Sequence, residues 1–187
     1  MSVIDILYIY NIFGGDVMEH LKEHTCCFFG HRKITASDEL KGELCKEIEK
    51  LIVNEGVDTF LFGSRSQFDD LCYDVVSKLK EKYPHIKRVY ARAGYADIDR
   101  GYTNYLLTYY EDTYYSEKIR GAGRASYVQR NREMINRSKF CVIYYDENYL
   151  PPTKEGGHQA KSGTALAYVF AAMKGKRIIN IYNSFKI

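Results

Sequence analysis

Short apolar runs that stop at a polar, glycine or arginine position alternate with stretches of helical apolar spacing along most of this chain. Cys26–Phe29 stops at Gly30, Val57–Phe62 at Gly63, Ile86–Ala91 at Arg92 and Phe140–Tyr145 at Asp146, and Arg177–Tyr182 closes the series. Between the first two runs, Leu40, Leu44, Ile48, Leu51 and Ile52 recur at helical spacing behind Ser37 or Asp38, and Gly56 ends the pattern. Leu71, Val75, Val76 and Leu79 repeat it within Phe68–Tyr83, before Pro84. Helices are also expected over Tyr127–Arg137 and Gly163–Lys174. An unbroken apolar run reads as a strand covered on both faces, and strands that alternate with helices call for a parallel sheet. The expectation is an α/β fold: one Rossmann-like doubly wound domain over 25–187, with a mainly parallel sheet of about five strands and helices on both faces.

Two segments stand outside the alternation. Residues 1–24 are set apart as an N-terminal extension, and either Met1 or Met18 serves as the start, since Met18 opens the polar stretch before the first strand. Residues 94–125 form a Tyr-rich insertion holding Tyr95, Tyr102, Tyr105, Tyr109, Tyr110, Tyr114 and Tyr115, out of 18 tyrosines in a chain without tryptophan. Packing on the sheet edge as a helical hairpin is the favoured reading of that insertion. A lid that stacks on a nucleobase is the alternative.

Composition excludes several classes. A net charge of +3 is too mild to call for nucleic acid, and no nucleic-acid partner is expected. The apolar start, MSVIDILYIYNIF, is too short to span a bilayer and lacks the basic flank of a signal peptide, so no membrane partner is expected. Five cysteines, an odd number with no CxxC spacing, read as reduced thiols of a cytoplasmic protein, with no disulfide framework and no metal site. Nothing in the sequence calls for a cofactor.

Doubly wound sheets take ligands beyond the carboxyl ends of their strands, where the strand order reverses. The residues there are therefore the candidates. Gly30, His31 and Arg32 follow the first strand: glycine allows close approach, histidine is a donor or an acid/base, and arginine offers a fork to phosphate. Gly63, Ser64 and Arg65 follow the second, and Asp69 lies in the next helical turn, facing either the helix dipole or a ribose hydroxyl. Arg92 ends the third strand, and Tyr145 the fourth. Lys161, Ser162, Gly163 and Thr164 open the last helix and are the best phosphate candidates, since hydroxyls and a helix N-terminus both favour an anion. Tyr127 and Arg130 lie on the helix before the fourth strand, Arg130 as either a ligand contact or a snorkelling surface side chain. Arg130 and Glu133 are the catalytic candidates.

The segments CCFFGHR, FGSRSQFDD, ASYVQRNREMINRSKFCVIYYDE and KSGTALAYVFAAMKGKRIINI together resemble the SLOG superfamily, and within it the YpsA-like bacterial proteins of unknown function. The resemblance covers roughly Thr25 to Ile181. It implies a Rossmann-like fold that binds nucleotides or nucleotide-derived ligands, and a homodimer fits it. Relatives that cleave the N-glycosidic bond of a nucleoside monophosphate carry an arginine where Arg130 lies, then a PGGxGTxxE motif. Gly163 and Thr164 match its GT, Lys161 and Ser162 replace the glycine pair, and Ala167 replaces the glutamate. That glutamate would stabilise an oxocarbenium-like centre or orient water. The leading expectation is thus a module that senses or sequesters a phosphate-bearing, nucleotide-derived small molecule. A nucleotide N-glycosidase is the first alternative, and an interaction protein with a vestigial pocket the second.

Overall fold

A computed structural model describes residues 20–63, 66–94, 100–149 and 162–185. Its strands are β1 (Thr25–Gly30), β2 (Thr59–Phe62), β3 (Lys87–Arg92), β4 (Asp112–Tyr115), β5 (Phe140–Tyr144) and β6 (Arg177–Asn180). The helices between them are α1 (Asp38–Glu55), α2 (Gln67–Lys82), α3 (Arg100–Leu107), α4 (Ser126–Asn136) and α5 (Gly163–Met173). The strands make one sheet in the order β4-β3-β2-β1-β5-β6, parallel at every pairing. This is the doubly wound α/β fold expected, with six strands where about five were expected.

The added strand is β4, inside the Tyr-rich segment. That segment yields a helix and an edge strand, α3 and β4, and not a helical hairpin. β4 pairs with β3 from Val89↔Asp112 to Arg92↔Tyr115. The join is held at its start by Arg88, whose side chain forks onto Glu111 (NH2 to Oε1 2.7 Å, Nε to Oε2 3.2 Å).

Alternation along β1 sorts the core into two layers. Cys26 and Phe28 face α1 and α2 and pack with Leu44, Ile48, Phe60, Phe62, Phe68 and Val76. Cys27 and Phe29 face α4 and α5 and pack with Leu61, Met134, Ile135, Ile143, Ala167 and Ala171. Both faces of β1 are thereby dry, which is why its sequence is an unbroken apolar run. All five cysteines are free thiols, four of them buried.

The helices stop and start where their ends are satisfied. Ser37 caps α1 by accepting from the Leu40 N–H (3.2 Å), and Ser66 caps α2 from the Asp69 N–H (3.1 Å). Gly56 ends α1 in the left-handed region at φ +66°, letting the Val57 N–H reach Leu51 O at 3.0 Å. Residues 20–24, expected as part of the extension, contact the rest of the domain. His24 Nδ1 donates to Gly56 O (2.7 Å), and Lys139 pairs with Glu23. Among the described residues, no helix is long and apolar enough to cross a membrane.

Candidate ligand-binding site

Strand order reverses at β1, with β2 on one side and β5 on the other. Gly30 and Tyr144 lie side by side in the β1–β5 register, so the next residues of each strand open the crevice. His31 N donates to Tyr144 O at 3.3 Å. Tyr145 is fixed by Asn180, which accepts from the Tyr145 N–H (3.1 Å) and donates Nδ2 to its carbonyl (2.9 Å). Asp146 follows, its carboxylate accepting from the Asn148 N–H (2.9 Å) and the Tyr182 hydroxyl (3.0 Å). The N-terminus of α5 is anchored to the same point, because Thr164 Oγ1 donates to Gly30 O at 2.8 Å. Ser162 caps that helix from the Ala165 N–H at 3.0 Å.

His31 occupies the centre of this arrangement with 3% of its surface exposed. Its Nε2 accepts from the Asp146 N–H at 2.9 Å. A neutral imidazole with Nε2 accepting carries its proton on Nδ1. That nitrogen is buried and has no hydrogen-bond partner among the described residues. Burial pushes the His31 pKa below the ordinary imidazole value, and the Asp146 carboxylate opposes this more weakly. The Tyr149 ring lies against the imidazole, with centroids 4.2 Å apart, and Tyr145 stands at 6.0 Å. The fold thus presents a neutral histidine in one tautomer, a donor without an acceptor.

The neighbouring part of the sheet edge is built on Arg130. It is not a snorkelling surface side chain: only 4% of it is exposed. Its Nε donates to Asn131 Oδ1 (3.0 Å), and its guanidinium lies 5.5 Å from the Tyr127 ring centre. Burial works against its charge, and the carboxylate of buried Asp69 is the largest influence favouring it. Arg92 ends β3 half-buried, and its Nε is buried without a hydrogen-bond partner among the described residues.

Several candidates take other roles. Gly30 and Gly63 do serve close approach, but to protein atoms. A Cβ on Gly30 would stand 2.3 Å from Phe68 Cδ1, and one on Gly63 would stand 2.7 Å from Arg130 Cδ and 2.9 Å from Met134 Sδ. Arg32 is exposed, and its carbonyl accepts from the Gln67 N–H at 3.0 Å. Glu133 is buried and engaged by the Ser116 hydroxyl (3.2 Å) and Lys118 Nζ (3.2 Å), on the connection after β4. Ala167 lies in the apolar layer under α5. Ser64, Arg65 and Lys161 lie outside the described residues. Tyr149, Asn180 and Tyr182 were missed as parts of the site. All three reach it from loop or strand-end positions that carry no local pattern.

No protein-family model matches the chain, and no curated protein matches it. Among solved structures, the chain is similar to DNA processing protein A from Helicobacter pylori, described for its single-stranded DNA binding mode. The likeness has a TM-score of 0.51 at 15% identity over 87% of this chain, which spans 66% of that one. It is a likeness of fold. It nevertheless overturns the expectation that nucleic acid has no place among the partners. A protein described as binding single-stranded DNA shares this architecture, and a summed charge of +3 says nothing of how charge is arranged at one sheet edge.

Proposed function

We propose that the chain binds a nucleotide-type, phosphate-bearing ligand in the crevice between the ends of β1 and β5, and holds it without cleaving it. The observation that carries the reading is His31. A buried N–H without a partner costs about 1–3 kcal/mol unless something accepts from it, and a ligand oxygen or ring nitrogen would do so. The start of α5, tied to Gly30 through Thr164, supports a phosphate position next to it. Arg130 beside Asp69 supports a sugar or phosphate contact on the other side. The SLOG resemblance of the same segments points to the same ligand class. Holding is favoured over N-glycosidic cleavage because Ala167 replaces the glutamate of the cleaving relatives and Glu133 is engaged elsewhere.

A second reading places the nucleotide unit within a DNA strand, and the fold likeness to a protein described for single-stranded DNA binding favours it. One titration series separates the readings. Thermal melts are recorded with AMP, ADP-ribose, inorganic phosphate and a short oligothymidylate. The mononucleotide reading expects AMP or ADP-ribose to raise the melting point, by an amount equivalent to about 2.7 kcal/mol at a hundredfold excess over Kd. His31→Gln should abolish most of that rise. A rise with the oligonucleotide alone moves the function to the second reading. Release of free base from AMP would restore the hydrolase. No shift with any of the four ends the proposal.

A further inference from the structure

The molecule has a second concave feature, on the α4–α5 side of the sheet. A shallow open groove runs between these two helices. Its floor holds Val128 and Ile135 of α4, and its wall is the outer side of α5. That helix reads GTALAYVFAAM and has no ionisable group except the Tyr168 phenol. A helix without a polar face is ordinarily covered on all sides. Here Leu166, Val169 and Met173 are 40%, 43% and 78% exposed. They recur at i, i+3 and i+7, which makes one continuous stripe.

The charges around the groove have one sign. Arg132 lies along it with its guanidinium 5.3 Å from the Phe170 ring centre, and Lys174 Nζ approaches the same ring at 5.6 Å. Among the described residues, none that lines it is acidic. We infer that the groove docks an amphipathic helix of a partner protein whose apolar stripe is flanked by acidic residues. The concavity fits a helix laid in a groove. A flat lipid surface would touch Met173 and leave half-buried Val128, on the α4 side of the groove, out of contact. A second copy of this chain would bring its own basic rim, Arg132 and Lys174, and no acid to meet it. The exposed stripe spans about 11 Å along α5 at 1.5 Å per residue, a match for two turns of the incoming helix.

The probe is a labelled, designed peptide of about 14 residues with leucines at i, i+3, i+4 and i+7 and glutamates on both flanks. Its binding to the full chain is followed by fluorescence anisotropy. The expected result is saturable binding that weakens with salt, at least tenfold weaker when the glutamates become lysines. Met173→Glu should weaken it at least tenfold. It should leave the thermal melt unchanged, since Met173 is mostly in solvent. Arg132→Glu combined with Lys174→Glu should reverse the preference toward the lysine peptide. Equal affinity for both peptides, no binding, or indifference to Met173→Glu would overturn the inference. So would a concentration-dependent dimer in sedimentation that Met173→Glu abolishes, or Met173-dependent flotation with phosphatidylserine vesicles. The first assigns the groove to a second copy, and the second to a membrane surface.

Discussion

With Nε2 occupied by the Asp146 amide, the His31 imidazole can gain a second proton only as a buried cation. Its pKa in the fold is therefore below that of the unfolded chain. As pH falls through the ordinary imidazole range, the unfolded chain takes up a proton that the folded one refuses. The stabilisation is full above that range and is lost as pH falls toward the lowered value. Melting temperature should drop between roughly pH 7 and pH 5, and His31→Gln should flatten that drop. An unchanged slope in the variant would show that other groups control it. The two glycines differ in the same kind of detail. Gly30→Ala drives a Cβ against the Phe68 ring in the core and should cost about 1–3 kcal/mol in a urea melt, with partial recovery in a Phe68→Leu background. Gly63→Ala meets two unbranched side chains, Arg130 at Cδ and Met134 at Sδ, which can swing aside where the Phe68 ring cannot, and should cost less. Arg130→Met removes a buried charge whose field reaches buried Asp69 and should destabilise the fold in a urea melt, while adding Asp69→Asn should return part of the loss. Both glycines stand out in the sequence because they end strands. Their cause does not, since Phe68 and Arg130 come close only when the sheet assembles.

Five strands lie within a residue or two of expectation: β1, β2 and β5 because burial on both faces forces apolar runs, and β3 and β6 because their sequences, KRVYAR and RIIN, keep apolar residues at their centres. β4 was illegible for the opposite reason. Its four residues, DTYY, are all part-exposed or exposed at the sheet edge, so no alternation is imposed on them. What holds β4 is a side chain: Arg88 grips Glu111 through two guanidinium nitrogens and its own backbone N–H (2.7 Å). Lysine cannot reproduce that fork. Arg88→Lys should therefore cost about 1 kcal/mol and speed hydrogen exchange at the β4 amides before any change at β1. Uniform acceleration across the sheet would contradict this local role.

At the scale of the whole molecule, the site was legible as a place but not as a mechanism of assembly. The rule that ligands gather beyond strand carboxyl ends picked out His31, Tyr145 and Thr164 as candidates before any coordinates, and Arg130 joined them from the helix before the fourth strand. It could not order them, because the β1–β5 junction brings together residues such as His31 and Asp146 that lie 115 positions apart. The partners that fix them, Asn180 and Tyr182, come from the far end of the chain.

The order reversal at β1 also has a consequence in time. β1, β2, β3 and β4 are neighbours in both sequence and space, whereas the Cys27↔Cys141 register must close a loop of 114 residues. Loop closure and contact separation place that pairing late in folding. The crevice has no floor until it forms, so the proposed nucleotide ligand would have nothing to hold in the transition state. In stopped-flow experiments with saturating AMP, the refolding rate should stay as it is without ligand while unfolding slows by the full binding factor. For this chain the ligand would act as a latch, applied after the two halves of the sheet have met.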